Sequence, residues 1–266
     1  MAVPVERYGD SARGSDPDWV PLESPLEIQV NGVQFTVTMR TPGDDEALSR
    51  GLLFTEGVIP GRDTPCDVVP VLCGGGLEGQ RVDVRADPAA LRWKGAGRSL
   101  VSSSSCGLCG KTSLEEVEQS GDPVAPHGAL RASLVHEMQT QMRARQTDFT
   151  RSGGTHAAAA FTLDGSLLAV FEDIGRHNAV DKVAGGLLKA GRTADAACLT
   201  VSGRVSFEIV SKAAAIGVQH LIAVSAPSSL AVALCQQRGI TLIGFCRDGR
   251  FTVYSHPDQV EGDAHG

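Results

Sequence analysis

The sequence predicts an α/β protein with a three-layer core around a mostly parallel sheet, preceded by a smaller β-rich subdomain. Two observations carry that prediction. From Thr155 onward, short apolar runs alternate with helical periodicities, the pattern of βαβ units covered on both faces. Before residue 99 the chain instead alternates apolar and polar residues between glycine-rich breaks, with a single helical stretch. The expected partition is a flexible tail over 1–24, the β-rich subdomain over 25–98, the α/β core over 99–255 and a short tail over 256–266.

The β-rich part opens with Leu26–Val30 and Gln34–Thr38, two alternating runs separated by Asn31-Gly32, the strongest short hairpin signal. Asp44 or Asp45 can cap a helix carrying Leu48, Leu52 and Leu53, which Gly57 can stop. Strands are expected at Val68–Leu72 and Arg81–Arg85. In the core, Leu130, Leu134, Met138 and Met142 recur at helical spacing and read as a packing face. His156–Thr162 and Leu167–Phe171 flank Asp164-Gly165 as a hairpin. Helices over 177–189, 207–216 and 228–238 then alternate with strands over 197–201, 221–224 and 241–245.

The bulk composition excludes several functions. A net charge of -7 lacks the basic face of a general nucleic-acid binder. No apolar run reaches the about 18 residues a membrane helix needs. Seven cysteines, an odd count, with no secretory leader at the start, point to a reducing cytoplasm. Cys198 and Cys235 lie in apolar segments and read as core thiols.

Reactivity concentrates in Ser102–Lys111, where Cys106 and Cys109 stand two residues apart among glycines after a serine run. Thr112-Ser113-Leu114-Glu115 reads as a capping box, so a helix begins there. A helix N-terminus and the Lys111 ammonium both favour a thiolate, the nucleophilic form. Three chemistries fit such a pair. Structural zinc needs about four ligands, and Cys66 and Cys73 are poorly spaced to complete it. A dithiol oxidoreductase uses C-x-x-C, and a sulfur relay would carry sulfur on one thiol with the other assisting. Zinc deamination needs H-x-E, but Ala158 stands where the glutamate would be after His156.

Ligands of open α/β sheets collect at the carboxyl ends of strands. Three such ends here run into helix N-termini through polar residues: Glu172–Asn178, Ser202–Glu208 and Ser225–Ser229. Free N–H groups there favour an anion, and Arg176 and Arg204 are suited to gripping phosphate. A fourth end, Phe245–Arg250, adds two cations and an aromatic ring. His156, after Gly153-Gly154-Thr155, is a candidate acid/base group or a turn residue.

Taken in order, Ser102–Gly110, Gly153–Ala158, Glu172–Lys182, Ser202–Glu208 and Ala223–Pro227 resemble the FdhD family, sulfur-transfer accessory proteins of formate dehydrogenase, over about residues 25–255. The resemblance implies a cytidine-deaminase-like core and a cytoplasmic homodimer. It implies a sulfurtransferase that takes sulfur from a cysteine desulfurase and passes it to the bis(molybdopterin guanine dinucleotide) molybdenum or tungsten cofactor, with formate dehydrogenase as client and no permanently bound metal. It implies that Cys106 carries the persulfide with Cys109 as partner. The family's cofactor-binding segment falls on Phe245, Cys246, Arg247, Asp248, Gly249 and Arg250. Arg176, His177, Ser202, Gly203, Arg204 and Ser225 join it as candidate contacts to the phosphates of this guanine-nucleotide-containing cofactor. A cofactor-binding chaperone without sulfur chemistry and a dithiol oxidoreductase are the alternatives.

Overall fold

The structure, a computed structural model, describes residues 1–8, 17–71, 80–93 and 122–262, and the backbone of 13–14 and 100–101. Cys73, Cys106, Cys109 and the helix expected after Thr112 lie outside the described residues.

The Asn31-Gly32 signal is met by β1 (Ser24–Val30) and β2 (Val33–Arg40), which pair antiparallel. Both turn residues have positive φ, Asn31 at 50° and Gly32 at 79°, as a type I′ turn requires. α1 follows over Asp45–Thr55. Asp44 precedes it in the left-handed conformation without a side-chain cap, and the Asp45 carboxylate is taken by Arg40 at 2.7 Å. β3 (Cys66–Pro70) and β4 (Arg81–Ala86) complete the small sheet, in the order β3-β4-β1-β2, with Leu100–Val101 at its edge. Leu26, Ile28 and Val30 of β1 face Leu48 and Leu53 of α1 in its own buried cluster.

The larger part contains α2 (Ala132–Arg143), α3 (Thr147–Ser152), β5 (His156–Phe161), β6 (Leu167–Asp173), α4 (Arg176–Lys189), β7 (Cys198–Val201), α5 (Phe207–Ile216), β8 (His220–Ala223), α6 (Ser229–Arg238), β9 (Thr241–Arg247) and β10 (Arg250–Val253). Its sheet runs β6-β5-β7-β8-β9-β10. Alternate residues of β5 enter opposite layers. Ala158 and Ala160 face Val180, Val183, Ile209 and Val210 on α4 and α5, while Ala157, Ala159 and Phe161 face Leu134, Val135, Met138 and Met142 on α2.

One expectation is corrected here. The sheet is mixed: only β7–β8 and β8–β9 pair in parallel, and the β5–β6, β5–β7 and β9–β10 pairs are antiparallel. The hairpin expected at Asp164-Gly165 is present, β5 and β6 pairing antiparallel across that tight turn. β10, whose first residue Arg250 ends the Phe245–Arg250 segment, closes the far edge.

Within 1–24, Ala2–Val3 pairs with Asp18–Trp19, and the Arg151 guanidinium lies over the Trp19 ring. Within 256–266, Val260–Glu261 pairs in parallel with Leu130–Arg131. Among the described residues no helix is long and apolar enough to cross a membrane.

Candidate functional site

The antiparallel placement of β5 decides what meets at the carboxyl edge of the parallel strands. The start of β5 and the end of β6 lie at that edge, with His156 opposite Asp173. Ser202, one residue past β7, is locked to β5: its Oγ accepts from Ala157 N at 2.9 Å, and its N–H donates to the Ala157 carbonyl at 3.0 Å. Gly203 is buried, and a β-carbon there would stand 3.3 Å from Nδ1 of His156 and 3.6 Å from Cδ of Arg176. Arg204 follows, exposed. The loops after β7 and β8 are tied together, since Val205 N donates to Ala226 O at 3.2 Å and Ser228 N to Val205 O at 2.9 Å. The Ser225 carbonyl in turn accepts from Phe245 N at 3.3 Å, linking β9. Three strand ends therefore form one continuous rim.

Around that rim, Arg176 is partly buried and its Nε has no hydrogen-bond partner among the described residues. His177 Nε2 lies 3.4 Å from Ser206 Oγ and 3.9 Å from a Glu208 oxygen. Burial, reinforced by Arg176 and Lys212, pushes the His177 pKa down to about 4, so the ring is neutral near pH 7. His156 is also held below the ordinary histidine range, first by burial and then by Arg176 and Arg204. The edge thus presents guanidinium charge flanked by neutral imidazoles, a setting for an anion.

Phe245–Arg250 is split by its backbone. A bulge between Gly244 and Arg247 turns Cys246 into the core at 4% exposure and Phe245 out at 39%. Phe245 adopts φ 54°, a strained conformation for an aromatic residue, with its ring centroid 6.5 Å from that of Tyr254. Arg247, Asp248, Gly249 and Arg250 form the exposed β9–β10 turn. Burial drives the Cys246 thiol up to about 12, and its side chain packs into the core, away from the exposed turn. Cys235 rises to about 12 and Cys198 is raised as well, both fully buried.

Much of the Glu172–Lys182 motif is committed to structure. Glu172 accepts from the backbone of Asp148 and Phe149 at the start of α3 and from Thr155 Oγ1. Asp173, fully buried, pairs with Lys182 at 2.9 Å and accepts from Thr41 N and Gly175 N. Asp181 pairs with Lys212 at 2.8 Å, joined by Thr55 and Glu56. Burial works to raise the Asp181 carboxyl, but Lys212 is held charged by two carboxylates, and the cluster is ionised. These groups fasten α4 and α5 to the β2–α1 region and so aim Arg176 and His177 at the rim. Lys212 was not singled out from sequence, because a lysine within an apolar helix carries no signal of its partner.

The FdhD/NarQ family model matches residues 21–261. The chain belongs to the FdhD/NarQ family. Its curated relatives in that family include the sulfur carrier protein FdhD of Streptomyces coelicolor, 43% identical over 265 residues with 96% of this chain and 94% of the relative covered. The sulfur carrier protein FdhD of Mycobacterium tuberculosis is 44% identical over 261 residues, with 92% of each covered. The fold of this FdhD/NarQ member is shared by a crystal structure of a candidate formate dehydrogenase accessory protein from Desulfotalea psychrophila. It matches with a TM-score of 0.80 at 23% identity over 98% of this chain and 99% of that one.

Proposed function

We propose that this FdhD/NarQ protein is a cytoplasmic, homodimeric sulfur carrier. It accepts sulfur from a cysteine desulfurase and passes it to the bis(molybdopterin guanine dinucleotide) molybdenum or tungsten cofactor before insertion into a formate dehydrogenase. The family relatives named as sulfur carriers support the chemistry. The observation that carries the ligand is the joined rim of three strand ends, where Arg176 and Arg204 flank a buried glycine wall suited to phosphate. On this reading the three-layer core is a cytidine-deaminase-type scaffold put to a different use.

The sulfur step is nucleophilic. The Cys106 thiolate attacks the outer sulfur of the desulfurase persulfide, a new S–S bond forms, and the desulfurase cysteine leaves as a thiolate. Cys109 supplies the second thiol that resolves it: its thiolate attacks Cys106 Sγ, a Cys106–Cys109 disulfide forms, and the outer sulfur leaves as hydrosulfide for the cofactor. A cellular thiol reductant restores the dithiol. The cofactor is the acceptor, held by its phosphates at the rim and by its ring system near Phe245 and the Arg247–Arg250 turn.

Titrating a fluorescent GDP analogue into the protein tests the ligand half. Wild type binds, and Arg176→Ala with Arg204→Ala weakens binding by about 100-fold, two charge-assisted contacts of about 1.4 kcal/mol each. Unchanged affinity in the double variant would remove the rim from the account.

A further inference from the structure

The Gly153-Gly154-Thr155-His156 motif adds a group that the two arginines do not supply. The backbone of His156 is fixed by its place opposite Asp173 and by the paired bonds between its neighbour Ala157 and Ser202. Its ring packs over Gly203, sharing that wall with Arg176, and Arg204 is the next residue along. The ring is half-buried, with no hydrogen-bond partner among the described residues. A polar ring placed against two guanidiniums with its nitrogens uncommitted is a poor packing choice but an apt ligand contact.

We propose that His156 is a third binding residue of the rim, donating a ring N–H to a phosphate oxygen held by Arg176 and Arg204, and that it takes up a proton from solvent as the anion binds. The proposal rests on the phosphate-binding reading above. The charged groups facing the ring are Arg176 from α4, Arg204 from the β7–α5 loop and Asp173 from β6, with His177 one residue further along α4. Without ligand, burial and the two guanidiniums keep the imidazole neutral, while the Asp173 carboxylate is already paired with Lys182. A bound phosphate brings negative charge beside the ring and reverses that balance. No heavy-atom bond forms or breaks; the buffer loses one proton and the imidazole gains it.

Calorimetric titration of GDP near neutral pH, in two buffers of unequal ionisation enthalpy, reads the proton directly. Wild type should take up more protons on binding than His156→Gln, and the variant should bind about tenfold more weakly. His156→Asn provides a second carboxamide in case the first fails to fold, with circular dichroism confirming the fold of each. Equal proton uptake in wild type and folded variant overturns the proposal even when GDP binds well. Failure of wild type to bind GDP overturns the rim itself, and the proposal with it, so the two failures are distinguishable.

Discussion

Gly185 of α4 lies directly against Ala47 of α1: a β-carbon at Gly185 would stand 1.9 Å from the Ala47 carbonyl oxygen. Gly51 makes the reciprocal approach, 1.8 Å from the carbonyl oxygen of Asp181. The obstructing atoms are helix backbone, which cannot swing aside. The two helices join the small sheet to the larger part at the spacing two glycines permit. Gly185→Ala should therefore cost more than about 3 kcal/mol, beyond ordinary overpacking, measured by urea unfolding. A loss under about 1 kcal/mol would show that the helices can separate freely.

The Lys212 ammonium bridges Asp181 and Glu56 and reaches Thr55 at 3.0 Å. Lys212→Met leaves buried Asp181 uncompensated and should cost about 3–5 kcal/mol. Adding Asp181→Leu should recover part of that loss, and a strictly additive double variant would contradict the ionised cluster.

His220 is fully buried, its Nε2 2.9 Å from the Gly128 carbonyl, and burial pushes its pKa down to about 4. The unfolded chain takes up this proton near pH 6.5, about the free histidine value, whereas the folded chain resists until about pH 4. The contribution is thus complete above the unfolded pKa and is lost as pH falls through the folded one, up to about 3 kcal/mol. His220→Gln can keep a donor to Gly128 and should show a shallower loss of stability between about pH 7 and about pH 4.5. Parallel curves for wild type and variant would argue against it.

Phe245 holds its φ of 54° while 39% exposed. Phe245→Gly relieves a left-handed backbone worth about 1–2 kcal/mol and gives up the ring contact with Tyr254, worth about 1 kcal/mol. Thermal stability should stay level or rise while affinity for the GDP analogue falls. Stability dropping by more than about 2 kcal/mol would mark the ring as a structural anchor instead.

Local signals in the sequence mapped well onto structure where neighbours in the chain decide the outcome. Asn31-Gly32 marks the hairpin, and the periodicity of Phe207–Ile216 coincides to the residue with α5. The failures have long-range causes. α3 is a short helix whose first turn is held by Glu172, a residue 23 positions from Phe149, and periodicity cannot report that. The antiparallel seating of β5 against β7 depends on pairing across the α4 crossover, so the apolar runs looked parallel. Polar motifs had the opposite problem. Asp173, Asp181 and Lys182 lie in the polar motif around Arg176, but their partners, Thr41 just after β2, Thr55 of α1 and Lys212 of α5, make them fasteners. Cys246 shared a cationic segment, and only the bulge at Gly244 reveals that it turns inward.

Sulfur carriage is tested most directly by mass spectrometry of the chain after incubation with a cysteine desulfurase and cysteine. The account predicts an added sulfur on the Cys106 peptide, removed by dithiothreitol and missing from Cys106→Ala. Undiminished sulfur on Cys106→Ala, or none on folded wild type while the desulfurase is active, would contradict it.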